Sequence, residues 1–257
     1  MESWLGMGRS RQSRFPQGPA GLDDPGSKMA LTAELVARCE RVEPDPGPQN
    51  RYDYFTEEDY DQATARMLAQ HGSGPLWVFA YGSLLWKPEG QGVEHRRGRV
   101  RGWHRAFCLE LKRWRGSPQQ PGLMMGLRRG GSCDGMIYRL PEGDHAVQLG
   151  LLLRREVGSH EDLSGARWLN VETEEGRVRA LTFWAEPKGA DYWVTPPLDE
   201  VARILAKACG HLGSGAAYLF HTVTALEKLG IRDRNLWRLQ EMVAVEIKRF
   251  TEGTLGP

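Results

Sequence analysis

Cysteine is sparse in this sequence, with four residues in 257. Cys39, Cys108, Cys133 and Cys209 stand far apart, with no C-x-x-C pair and no Cys/His cluster. That argues against a zinc site and against a disulfide framework. Cys108 and Cys133 fall in apolar, strand-like runs, where a thiol serves as a small buried hydrophobe. An excess of charge of one sign is also lacking, since the formal net charge is +1. No global field therefore draws the chain to nucleic acid or to a membrane surface. No apolar run approaches the roughly 20 residues that cross a bilayer. The first residues hold no signal-peptide apolar core, so a reducing cytoplasm with free thiols is the expectation.

Several catalytic signatures are missing as well. There is no G-x-x-x-x-G-K-[ST] loop, and no strand–G-x-G-x-x-G–helix unit. His160-Glu161 is not followed by the second His of H-E-x-x-H. The G-x-S-x-G elbow needs a glycine two residues on either side of its serine. Around Ser83 those positions are Tyr81 and Leu85. Ser83 therefore reads as a turn residue or a hydrogen-bond donor rather than a nucleophile.

What is present is an ordinary globular composition, 40% hydrophobic and 26% charged, in a chain long enough for one domain with an appendage. Residues 1–28 are rich in Gly, Pro, Ser and Arg without a hydrophobic period and read as disordered. They begin an extension and linker expected to run to residue 50, with a short helix over Thr32–Val42 and a proline-rich stop at Glu43–Pro48. Met29 is an alternative start. Residues 51–75 hold a helix capped at Thr56 and followed by Glu57, Glu58 and Asp59. The main domain is expected over 76–252.

That domain opens on Leu76-Trp77-Val78-Phe79-Ala80-Tyr81-Gly82-Ser83-Leu84-Leu85-Trp86. A compact apolar run that breaks at Tyr-Gly-Ser-Leu reads as a buried strand entering a tight turn. Gly82 allows a positive φ or a close approach there. The N–H groups of Gly82, Ser83 and Leu84 could converge on an anion. Further strands are expected over 98–111, 122–127 and 133–140, with a glycine turn at 128–132. Gly135 marks a bulge or a close backbone approach. The basic residues from Arg96 to Arg105 alternate with apolar ones, as on a solvated strand face. A helix follows from Pro141 to Glu156, then a hairpin over 167–185 turning at Glu174-Glu175-Gly176. Three helices close the chain over 198–209, 213–229 and 233–250. Strands first, helices later and short connections argue for an α+β fold.

Glu156 stands out. It lies three residues after Leu153 and four after Leu152, at the negative end of its helix, where a carboxylate is unfavourable. One reading is a surface Glu paired with Arg154 or Arg155. The other is a buried carboxylate of raised pKa that exchanges protons near neutrality. Tyr218, in Gly215-Ala216-Ala217-Tyr218-Leu219-Phe220, reads in isolation as a helix aromatic packed on a sheet.

Taken together, these stretches resemble the ChaC-like γ-glutamylcyclotransferases. Trp77 to Trp86 resembles the family's opening signature. Arg101-Gly102-Trp103-His104-Arg105-Ala106-Phe107-Cys108-Leu109 and Gly130 to Pro141 resemble later strands in the same order. Arg155-Glu156-Val157 falls where the family places its catalytic glutamate, and Tyr218-Leu219 where it has a Tyr-Leu pair. The resemblance covers about Leu76 to Phe250. It implies a small mixed β-barrel packed with helices, and cleavage of glutathione, or a related γ-glutamyl compound, to 5-oxoproline and cysteinylglycine. No metal or organic cofactor is implied. Glu156 would be the acid/base; Gly82, Ser83 and Leu84 would cradle the substrate carboxylate; Tyr81 and Tyr218 would line the pocket. Two departures bear on substrate identity: the polar run Gly158–Gly165 lacks the family's Tyr, and Ala217 replaces an acidic residue. The other readings are a non-catalytic regulator of cation transport, a γ-glutamyl-binding protein, or a cyclotransferase for another γ-glutamyl amine.

Overall fold

The computed structural model describes residues 28–49, 52–89, 92–188 and 192–252. The disorder expected for 1–27 lies outside the described residues. Five strands, β1 (Trp77–Ala80), β2 (Glu94–Leu111), β3 (Gly122–Arg139), β4 (Arg167–Thr173) and β5 (Gly176–Thr182), close into a barrel in the order β1-β3-β2-β4-β5. Neighbours are antiparallel except β1 and β5, which run parallel with Trp77 opposite Ala180. Helices α1 (Ala33–Ala37), α2 (Glu57–His71), α3 (His145–Glu156), α4 (His160–Leu163), α5 (Leu198–Lys207), α6 (Gly215–Lys228) and α7 (Arg234–Glu252) surround it. A minimal pair, β6 (Cys209–Gly210) and β7 (Gly213–Ser214), joins α5 to α6. The fold is α+β, a mixed barrel packed with helices. Among the described residues no helix is long and apolar enough to cross a membrane.

β1 is apolar throughout because both of its faces are covered. Trp77, Phe79 and Tyr81 join the apolar cluster shared with α5, α6 and α7. Leu76, Val78 and Ala80 join the one shared with α2 and α3. The strand's end sits tightly against β3: a Cβ on Gly135 would lie 2.3 Å from the Ala80 carbonyl oxygen and 2.9 Å from the Phe79 ring. Gly135 is thus a point of close backbone approach.

The expected turn at 128–132 is not a turn. β3 runs unbroken for 18 residues and pairs with β2 along its length. Gly130 (φ 98°), Gly131 (φ 69°) and, opposite, Gly102 (φ 78°) form a bulge where the register shifts between Arg101 and Trp103. Left-handed glycines bend both strands without breaking the pairing. The bulge also reverses which residues face inward. Val100 is buried before it; Trp103, Arg105 and Phe107 are buried after it. The solvated face expected up to Arg105 therefore stops at Arg101, and Arg105 is only 3% exposed.

The segment expected as linker also packs. Leu31, Leu35, Val36 and Cys39 are buried in the main core. The Leu31 N–H donates to Gln240 Oε1 at 2.8 Å, and Arg113 holds Asp45 through two hydrogen bonds of 2.7 Å. Four apolar residues at roughly helical spacing are enough to seat this short helix against α6 and α7.

Candidate active site

β1 ends at Ala80 and the chain turns at once into a 3-10 helix, Ser83–Leu85. The Leu85 N–H donates to Gly82 O at 3.0 Å, and the Lys87 N–H to Ser83 O at 2.8 Å. Gly82 has φ −132°, so its use here is close approach rather than a left-handed backbone. A Cβ there would lie 3.0 Å from the Tyr218 hydroxyl and 3.6 Å from Met125 Sδ. Tyr218 stands in the first turn of α6, which Ser214 caps by accepting the Ala217 N–H. Its hydroxyl accepts the Ser83 N–H at 3.2 Å. One turn further along α6, Thr222 Oγ1 accepts the Trp86 indole N–H at 3.0 Å. Two stretches some 135 residues apart are thereby fastened together.

Positive charge backs this turn from two sides. The Arg115 guanidinium lies 5.4 Å from the Tyr218 ring centre and 5.6 Å from that of Trp86. Arg105 Nη1 donates to the Tyr81 carbonyl at 2.9 Å, and its Nε pairs with Asp233 at 3.0 Å. No peptide bond among the described residues is cis. In a trans peptide the N–H points opposite to the C=O, so the Gly82 N–H points away from Arg105.

Glu156 enters from the other side. The amphipathic pattern of α3 buries Leu149, Leu152 and Leu153, and carries Glu156, its last residue, inward to 8% exposure. Trp184 donates its indole N–H to Glu156 Oε2 at 3.1 Å. Arg155 Nε lies 3.0 Å from Oε1. Burial pushes the Glu156 carboxyl above the usual carboxylate range; Arg155 and the Trp184 N–H offset part of that rise. Trp184 itself has φ 55°, a left-handed backbone that costs an L-residue roughly 1–2 kcal/mol. Its carbonyl accepts the Leu127 N–H at 2.8 Å, which holds the strained residue to β3. Burial raises the Tyr218 hydroxyl to about 12, and the Tyr81 hydroxyl also rises, so both keep their protons at neutral pH.

Tyr81, Gly82, Ser83, Leu84, Glu156 and Tyr218 all line one cleft, with about 310 Å³ of atom-free space counted out to its mouth. Met124, Met125, Phe183 and Trp184 complete it. None of those four carries a motif; Met124 and Met125 read as strand residues, and Trp184 follows β5 without a signal. Ser159, one of the two departures, caps α4, and Asp162 in return accepts the N–H groups of Gly158 and Ser159 at 3.0 Å. The four cysteines are free and buried. Burial holds the Cys39 and Cys133 thiols near 11 and Cys108 near 12, so they are poor nucleophiles. Among the described residues no group of three or more His, Cys, Asp or Glu side chains could hold a metal ion.

Comparison with known proteins gives the chain its family. The glutathione-specific gamma-glutamylcyclotransferase of Escherichia coli (strain K12) is 37% identical over 200 residues, covering 75% of this chain and 84% of that protein. The Homo sapiens glutathione-specific gamma-glutamylcyclotransferase 1 is 26% identical, covering 68% and 81%. The crystal structure of a yeast gamma-glutamyl cyclotransferase specific to glutathione shares the fold, with a TM-score of 0.59 at 20% identity over 68% of this chain and 97% of that one. The sequence profile described as ChaC-like protein matches residues 76–246, and the chain belongs to that family.

Proposed function

We propose that this chain is a glutathione-specific γ-glutamylcyclotransferase, with residues 76–252 as its catalytic unit, working in the cytoplasm. The observation that carries the reading is the placement of a buried carboxylate, Glu156, across one cleft from the Gly82–Leu84 turn and Tyr218. The 37% identity to an enzyme of that name supports the substrate.

The chemistry needs little more. The γ-glutamyl α-amine attacks its own γ-carbonyl and closes a five-membered lactam, so folding the substrate correctly supplies much of the acceleration. Glu156 takes a proton from the ammonium, which frees the attacking lone pair. The C–N bond to cysteinylglycine then breaks as Glu156 returns that proton to the leaving nitrogen; the ring nitrogen sheds its second proton by the same route, so the leaving amine departs as an ammonium and the lactam is neutral. A carboxyl of raised pKa suits both steps. The Gly82 and Leu84 N–H groups, with the Ser83 N–H shared with the Tyr218 hydroxyl, cradle the α-carboxylate; Tyr218 orients it, and Tyr81, whose hydroxyl donates to the Phe183 carbonyl, walls the pocket. Products are 5-oxoproline and cysteinylglycine.

The direct test is incubation with glutathione and assay of both products. Glu156→Gln should lower kcat by roughly two to four orders of magnitude. Undiminished turnover in that variant would remove Glu156 from the mechanism.

A further inference from the structure

Beside the cleft lies a second cavity, about 900 Å³ of atom-free space against 310 Å³ for the cleft. Met124, Glu156 and Trp184 line both, so Glu156 sits on the boundary between them. If the γ-glutamyl head occupies the cleft and Glu156 returns a proton to the leaving nitrogen, everything attached to that nitrogen extends past Glu156 into the second cavity. We propose that this cavity is the subsite for the leaving peptide. Gln49, Tyr52 and Tyr54, upstream of the family match, supply part of its wall, so leaving-group selection is shared between that segment and the ChaC-like region. The proposal rests on the cyclotransferase reading.

The walls fit a short peptide with a free carboxylate. A file of aromatic rings leads outward from Glu156. Trp184, bonded to it, meets Tyr192 edge-on at 6.5 Å. Tyr192 meets Tyr52 at 5.9 Å, and Tyr52 meets Tyr54 at 6.0 Å. Tyr52 and Tyr54 precede the matched residues 76–246. Tyr54 is held by the Gln49 N–H, which donates to its hydroxyl at 2.8 Å, and by a backbone bridge to Ser159, while the Tyr52 N–H donates to the Gln49 carbonyl at 3.3 Å. Tyr192 is fixed by its hydroxyl, which donates to Asp162.

Among the described residues four cations also line the cavity, and three are closely paired. Arg113 is held by Asp45 at 2.7 Å, Arg154 by Glu57 at 2.6 Å and Arg155 by Glu156 at 3.0 Å. Lys112 faces only Glu110, at 3.3 Å, with both side chains about one-third exposed. A pair so exposed is weak. Among the described residues Lys112 is therefore the cation of this cavity held most loosely, and the one placed to take a peptide carboxylate.

The test compares two substrates in the full chain: glutathione, and γ-glutamylmethylamide, which has the same head and almost no leaving group. Tyr52→Ala and Lys112→Ala should each lower the ratio of kcat/KM for glutathione to that for the methylamide about tenfold. Lys112 is exposed enough that its loss leaves the fold intact, and turnover of the methylamide reports folding in both variants. Glutathione with its glycine carboxylate amidated should respond to Tyr52→Ala and not to Lys112→Ala. An unchanged ratio in both variants, with 5-oxoproline still formed, would overturn the subsite alone. Absence of 5-oxoproline from either substrate with the unaltered protein would overturn the cyclotransferase reading as well.

Discussion

The Trp184 indole N–H donates to Glu156 Oε2 at 3.1 Å from a residue held at φ 55°. A donor to a carboxylate stabilises its charged form, so this bond works against the burial that raises the Glu156 pKa. Trp184→Phe removes the donor and keeps an aromatic ring. The acidic limb of the kcat/KM profile for glutathione should then move to higher pH. Activity would fall most at low pH and recover at high pH. An unmoved limb would mean that the indole does not tune the base.

Glu156 also couples pH to stability. Its folded pKa is raised, so between the unfolded and folded values the native state binds more protons than the unfolded state. Its contribution is fully present below the unfolded pKa and is lost as pH rises through the folded one. Glu156→Gln stays neutral throughout. Its Tm should equal that of the unaltered protein in acid and exceed it at neutral and alkaline pH, as scanning calorimetry across that range would register. A variant less stable at neutral pH would mean that Arg155 and Trp184 more than offset the burial.

Gly82 is confined by the Tyr218 hydroxyl, 3.0 Å from where a Cβ would stand. Gly82→Ala should push that hydroxyl off the Ser83 N–H and distort the cradle. We expect kcat/KM for glutathione to fall at least tenfold while Tm shifts by only a few degrees. Full activity in the variant would show that the Ser83–Tyr218 contact is dispensable.

Arg105 joins the Tyr81 carbonyl to Asp233 from inside the barrel. Arg105→Met leaves the Tyr81 carbonyl without its donor and Asp233 with only the Asn235 and Leu236 N–H groups, and should destabilise the fold by about 1–3 kcal/mol. Arg105→Lys keeps the charge but not the fork that reaches both acceptors at once. The lysine variant should fold and show a KM for glutathione raised about tenfold, with kcat within a factor of three. A change confined to kcat would argue against a role in holding the cradle.

Native protein should react slowly with a thiol reagent such as dithiobis-nitrobenzoate, because all four cysteines are buried. Four equivalents should react promptly in denaturant. Rapid labelling of the folded chain would contradict that burial.

Parts of this site were legible in the sequence because their signals are local. The uninterrupted apolar run before Tyr81 reports a strand covered on both faces. Leu149, Leu152 and Leu153 share a helix stripe with Glu156, which makes an inward carboxylate readable from spacing. The Gly102 and Gly130-Gly131 bulge was not readable. Glycines that continue a bent ladder and glycines that end a strand look alike until the partner strand is known. The misreading of Arg105 follows from it, because a one-residue slip in register moves each later side chain to the opposite face. The packing of Leu31 to Cys39 was hidden for a similar reason, since the groove that receives it is formed by α6 and α7, some 180 residues later.

By itself, the sequence determined the α+β order of elements, the tight turn at Tyr81–Leu84 and the inward stripe of α3. Each depends on residues within a turn or two of one another. Tertiary structure alone decided that Tyr218 reaches Ser83, that Trp184 reaches Glu156, and that Tyr52 and Tyr192 line one cavity with that carboxylate. Those contacts join positions from 28 to more than 130 residues apart. Barrel closure and helix packing bring them together, and no local pattern encodes where such distant side chains meet.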